Sequence, residues 1–156
     1  MIGANIEVTR TSSDPHQLFG LGNVVWDRGK AYVAIQASGA LGANDVVIID
    51  EDGQAVVASV TTSASARGDR AGVVLVDFAD NDYGFAQVFG PTEANGLTSC
   101  AANVPIHTTA TDGHLDDAGT SGAEYVDGLV LTTAVGGGGA DAVAAMLVFP
   151  TIGATI

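Results

Sequence analysis

Val46-Val47-Ile48-Ile49-Asp50-Glu51-Asp52-Gly53-Gln54-Ala55-Val56-Val57-Ala58-Ser59 is the stretch whose reading decides the fold. Four β-branched residues run up to a turn, and a second Val-rich run leaves it. Val and Ile fit a pleated surface better than a helix. Asp52-Gly53 supplies the break between the runs, because Asp and Gly tolerate the positive φ that a tight hairpin turn requires. The stretch predicts two short strands joined by a hairpin.

Outward from this hairpin the same grammar recurs. Short runs rich in Val and Ile, predicted as strands, lie at 31–37, 46–49, 55–59, 72–76, 85–89, 97–101, 105–108, 129–133 and 144–149. Asp112-Gly113 repeats the hairpin signal, while Asn81-Asp82 before Tyr83-Gly84 and the glycine run 136–139 mark two further connections. No window sustains a 3.6-residue apolar period over helical length. The single helix expected is a short one at 141–146.

The two halves echo each other. Ala43-Asn44-Asp45-Val46-Val47-Ile48 leads to Asp52-Gly53, then to 71–76, and ends in Phe89-Gly90-Pro91. Ala102-Asn103-Val104-Pro105-Ile106 leads to Asp112-Gly113, then to 127–132, and ends in Phe149-Pro150. Each half is a hairpin plus two strands, too small to be stable alone in water. The expected fold is therefore all-β: a compact β-sandwich or small β-barrel of about eight strands, built from two similar halves that share one core. The pseudo-repeat spans about 38–91 and 97–150, within a single β domain over 29–156, and residues 1–28 read as an extended N-terminal arm.

Composition agrees with a packed body. Of 156 residues, 47% are hydrophobic and 15% charged, with a mean hydropathy of +0.32. Aromatic residues are only 6%, so the core must be filled by small branched side chains. The net charge is −13, from 18 acidic residues against Arg10, Arg28, Lys30, Arg67 and Arg70. Phosphate contacts need a basic face, and five scattered cations do not make one, so nucleic acid is not an expected partner. Acidity of this degree serves solubility and self-avoidance. No run approaches the roughly 20 apolar residues of a membrane helix, and the first residues lack the layout of a signal peptide. A soluble cytoplasmic product, without a membrane partner, is expected.

Reactive residues are few and badly supplied. Cys100 stands alone between Ser99 and Ala101, with no cation or His beside it to stabilise a thiolate. His107 and His114 flank the second hairpin and could approach across it, but no preformed third metal ligand accompanies them. Asp50-Glu51-Asp52-Gly53 begins like a calcium loop, yet its Gly comes early and Thr61 stands near the place of the closing Glu. Asp80-Asn81-Asp82 and Asp116-Asp117 are better read as loops than as cation sites. The glycine run 136–139 is followed by neither Lys nor Ser/Thr, as a phosphate loop would need. There is no G-x-S-x-G elbow. No catalytic residue, cofactor or metal is expected, and the chain is not expected to be an enzyme.

Taken together, several segments resemble a known family. Ala37-Ser38-Gly39-Ala40, the turn 50–53, Ala79-Asp80-Asn81-Asp82-Tyr83-Gly84-Phe85-Ala86-Gln87, Thr108-Thr109-Ala110-Thr111-Asp112-Gly113-His114-Leu115 and Phe149-Pro150 are similar to the head decoration, or capsid cement, proteins of tailed bacteriophages. The resemblance covers about Lys30 to Pro150 through turn-and-strand patterns. It implies a virion structural protein on the outer capsid surface that bridges neighbouring major capsid protein subunits and stiffens the shell. It also implies a homo-oligomer, with a trimer favoured.

The arm is the first expected contact surface. Ile2, Ile6, Val8, Leu18 and Phe19 are spaced apolar anchors of the kind that lets a segment add to a sheet of the capsid protein or of a neighbouring copy. Trp26 and Tyr83 follow as candidate anchors, since large aromatics beside loops often carry interfaces, whereas Phe85 is better read as core. The alternative is a carbohydrate-binding or adhesion module displaying aromatics, against which the one Trp and three Tyr weigh. A small hydrolase assembled from distant residues is a third reading.

Overall fold

The computed structural model describes residues 6–11 and 20–156. Among these lie ten strands: β1 (Val24–Asp27), β2 (Lys30–Ala37), β3 (Val46–Ile49), β4 (Gln54–Val57), β5 (Arg70–Val74), β6 (Tyr83–Gly96), β7 (His107–Thr108), β8 (Leu115–Asp116), β9 (Glu124–Leu131) and β10 (Asp141–Thr155). One helical turn, α1 (Val60–Ser63), lies between β4 and β5. All ten strands belong to one continuous sheet.

That sheet closes on itself twice. β2 pairs with β4 in parallel, β4 with β3, β3 with β5, β5 with β6, and β6 returns to β2, these last four pairings being antiparallel. Beyond Phe89 the same strand β6 enters a second ring with the same order of contacts. There β6 pairs with β8 in parallel, β8 with β7, β7 with β9, β9 with β10, and β10 returns to β6, again antiparallel. The protein is thus a compact all-β body of two similar five-stranded rings that share β6. β1 hangs on the outside of β2.

The side-chain period of two explains how the rings stack. In β3 all four residues are buried, and they alternate between two cores. Val47 and Ile49 fill the first ring with Val33, Ile35, Val74 and Val88. Val46 and Ile48 face the other way, into a core with Ile106, Leu115, Leu131, Leu147 and Ile152 of the second ring. Each such side chain, taken fully from water, contributes about 1.5–3 kcal/mol. A strand buried on both faces must read as a continuous apolar run.

The strand change within β6 has a local device. Gly90 has φ 94 and is followed by Pro91, which donates no ladder hydrogen bond. Buried Gln87 spans the bend, its Nε2 donating to the carbonyls of Phe89 (3.1 Å) and Pro91 (3.0 Å). Both expected hairpins are present: Gly53 and Gly113 have φ 80 and 72, and each joins two antiparallel strands.

Two sequence expectations are corrected. Residues 141–146, expected to form a helix, open β10, and Asp141 to Met146 pair residue by residue with Gly96 to Pro91 of β6. The helical turn lies instead at Val60–Ser63, where Ser59 caps the Thr62 amide and the Thr62 hydroxyl accepts from the Ser59 amide. Residues 97–101, expected as a strand, form no named strand; the turn bond from the Cys100 amide to the Leu97 carbonyl bends the chain there.

Candidate docking surface

The expected anchors fall into three groups. Ile2, Leu18 and Phe19 lie outside the described residues. Ile6 packs on a small cluster formed by Tyr32, Ala34 and buried Phe85, while Val8 is exposed. Arg10 bridges Tyr83 in antiparallel fashion through two backbone hydrogen bonds of 2.7 Å. This part of the arm therefore adds to the body's own β6. Trp26 stands apart from these residues. Tyr83 and Phe89 are six residues apart along β6, about 20 Å at the rise of a strand, and it is Phe89 that Trp26 meets.

Trp26 is the centre of an apolar ridge. It shares a face of β1 with exposed Val24, two residues before it, and is itself 54% exposed. Its ring lies 5.4 Å from that of Phe89 and 6.1 Å from that of Phe149, and those two phenylalanines are 5.3 Å apart. Beside them Val148 is 58% exposed and Met146 is also exposed, each opposite a residue of β6, Phe89 and Pro91 respectively. Among the described residues seven large apolar side chains are exposed, and all but Val8 and Ile156 belong to β1 and β10 around Trp26. A contiguous apolar patch of this kind marks a contact site.

The backbone explains why these residues face outward. Leu147 pairs with Leu129 and Thr151 with Asp127, so Val148, Phe149 and Pro150 stand opposite Gly128 alone. This bulge gives Phe149 a φ of 48, an unusual conformation for a large residue, and pushes its ring towards Trp26. On the other side, Arg28 and Gly29 have φ 47 and 80, the pair of positive values that closes a two-residue hairpin between β1 and β2. Arg28 is 91% exposed at the tip, with its Nε 3.9 Å from Asp27. A methyl group on Gly90 would lie 3.1 Å from the Lys30 Cγ, so this hairpin rests directly on the bend in β6.

Side chains with chemical potential are engaged elsewhere. His107 is buried, its Nδ1 3.2 Å from the Asp116 carbonyl and its ring centroid 4.4 Å from that of Tyr125, with the planes tilted by 56°. His114 instead turns its Nδ1 to the Asp112 carbonyl at 2.8 Å. Among the described residues one trio of metal-ligating groups converges, Cys100, Asp116 and Asp117. Burial, reinforced by the charges of Asp117 and Asp116, pushes the Cys100 thiol up to about 11, which keeps it protonated at neutral pH. The acidic loops are built into turns: Asp50 Oδ1 accepts from the amides of Asp52 and Gln54, Asp80 from Gly39, and Asp82 from Ala79. Among the described residues no helix is long and apolar enough to cross a membrane. No protein-family model matches the chain, and no curated protein matches it.

Sequence reasoning found Trp26 but missed Phe89, Phe149, Val148 and Met146. The usable signal was the echo between Phe89-Gly90-Pro91 and Phe149-Pro150, the ends of the two halves, which the fold brings side by side.

Proposed function

We propose that this chain is a virion structural protein, and not an enzyme, which binds the outer surface of a phage capsid and cements neighbouring major capsid protein subunits. The observation that carries the reading is the ridge in which exposed Trp26 and Phe149 meet half-buried Phe89, on a body whose potentially reactive side chains are tied to backbone or buried. The resemblance of residues 30–150 to head decoration proteins supports it. Cement performs no chemistry. It needs a stiff core, an aromatic anchor that gains by leaving water, and an acidic remainder that keeps particles apart.

An exposed Trp also suits a carbohydrate-binding or adhesion module, the second reading. Flat sugar platforms need rings lying in one plane, however, and the Trp26 ring is tilted 56° and 69° to its two neighbours. Such rings form a knob for a protein pocket. The test is titration of purified protein into undecorated heads, followed by co-sedimentation. Cement predicts saturation at a fixed copy number that Trp26→Ala weakens by tenfold or more; absence of binding to heads, or binding to glycans in its place, overturns the reading.

A further inference from the structure

Closure of the two rings leaves one strand with a free edge. Among the described residues every other strand has two or more partner strands, whereas β1 pairs with β2 alone. Arg28-Gly29 closes the β1–β2 hairpin in two residues, so Asp27 and Lys30 form a hydrogen-bonded pair, and such pairs alternate along an antiparallel ladder. Val25 with Tyr32 is the next, and the Ala34 amide, donating to the Asn23 carbonyl at 2.9 Å, keeps the same phase. Val25 and Asp27 therefore turn their amides and carbonyls to β2. Val24 and Trp26 turn theirs to the open side, two donors and two acceptors in a row.

The same two residues carry exposed apolar side chains. The register extends the ridge into a row across the sheet: Trp26 stands opposite Ala31, Ala31 opposite Phe89, and Phe89 opposite Val148. Ala31 is small, which lets the Trp26 and Phe89 rings meet across it at 5.4 Å. One more strand beside β1 adds the next member of that row. Edge strands of natural sheets are usually blunted by Lys, Pro or a bulge. β1 has none of these; Val24-Val25-Trp26-Asp27 carries a single charge, at its end.

We infer that β1 receives an extended segment of another protein by strand addition, a segment with apolar residues at two alternate positions and no acidic residue. The backbone sets the first requirement. The two residues opposite Val24 and Trp26 both donate and accept across the new ladder, so neither is Pro. Their side chains lie on the Trp26 face of the sheet, against the open flank of its ring, and this makes them apolar. The residue between them faces the Val25 side. Net charge sets the second requirement. A second copy brings another −13 and is repelled over its whole surface, whereas a segment free of Asp and Glu is not. Local charge does not choose, since Asp27, Arg28 and Lys30 bring both signs to this end of the strand.

This inference rests on the reading of the ridge as a protein contact and adds how the partner is held. The probe is a blocked peptide of alternating Val and Thr with Lys at each end, added to the isotope-labelled full chain. In the free protein the amides of Val24 and Trp26 should exchange rapidly with solvent and that of Val25 slowly; saturating peptide should protect the first two. Emission from Trp26, the sole tryptophan, should shift to shorter wavelength in the same titration. Val24→Pro removes one open-side donor without breaking a bond to β2, a place where an edge strand tolerates Pro. With its folding checked by circular dichroism, it should bind the peptide about tenfold more weakly than Val24→Ala, which keeps the donor. Val24 and Trp26 amides left unprotected at every peptide concentration overturn the inference, as does equal binding by the two variants. Slow exchange of both amides in the free monomer, or a wild-type oligomer that Val24→Pro dissociates, also overturns it, because the chain itself or a second copy then covers the edge. Equal saturation of undecorated heads by Val24→Pro and Val24→Ala sinks the edge contact while leaving capsid binding intact; peptide capture with no head binding does the reverse.

Discussion

Gly128→Ala is the substitution that most sharply probes how the ridge is built. Gly128 has φ 81 in the middle of β9, facing the three-residue bulge of β10. A Cβ there would sit 2.7 Å from the Val148 carbonyl oxygen and 3.2 Å from the Pro150 Cα. Both are backbone atoms of a paired strand, so no side-chain rotation relieves the contact. The left-handed conformation costs an alanine about 1–2 kcal/mol, and forcing an extra carbon into a packed site adds about 1–3 kcal/mol. The expected loss is about 2–5 kcal/mol, a large share of the 5–15 kcal/mol typical of a whole domain. With an m-value of about 2 kcal/mol/M in urea, the unfolding midpoint should fall by about 1–2.5 M. Trp26 is the only tryptophan, so its fluorescence reports the ridge in the same titration; native emission should shift to longer wavelength as Phe149 withdraws. Gly136→Ala, where nothing lies within 4 Å, should change stability by less than about 0.5 kcal/mol. A Gly128→Ala protein within 0.5 kcal/mol of the parent would refute the bulge as described.

Leu147→Ala empties a fully buried position in the core between the rings and should cost about 3–5 kcal/mol by urea titration; a loss below 1 kcal/mol would mean that core is not packed. Asp69 binds its proton more tightly folded than unfolded, through burial first and then the charges of Glu51 and Asp50. Its contribution to stability is thus fully present below the unfolded carboxylate pKa, about 3.9, and is lost as pH rises through the higher folded value. Asp69→Asn should raise the melting temperature at pH 7 and by less at pH 3, and an equal shift at both pH values would contradict this. Cys100, fully buried and with its thiol pushed up to about 11, should resist an aromatic disulfide reagent at pH 8 until the protein unfolds; stoichiometric reaction of native protein within minutes would count against that burial.

The fold was legible where chemistry is local. The Val46–Ile49 strand and the Asp52-Gly53 and Asp112-Gly113 turns stand as read, because β-branched runs and positive-φ turn residues act through their own backbone. The long strands were cut short. Gly90-Pro91 and Phe149-Pro150 read as terminators, yet β6 and β10 continue through them as bends, held by Gln87 in one case and by the Gly128 bulge in the other. Residues 141–146 read as helical because Ala is abundant there; pairing with β6 overrides that preference. The first turn of α1 carries Thr62 where a capping box usually has Glu or Gln, so its start signal was weak. The ridge was legible only as Trp26, since Phe89, Met146, Val148 and Phe149 lie more than sixty residues away along the chain and meet it through sheet closure.

The central claim is that the protein stiffens a shell by gripping its neighbours, and the temperature at which heads release packaged DNA measures that directly. Heads saturated with purified protein should hold their DNA to a higher temperature than bare heads, and Trp26→Ala protein at the same concentration should give much less protection. Equal release temperatures for bare heads and for heads shown to carry saturating protein would contradict the account.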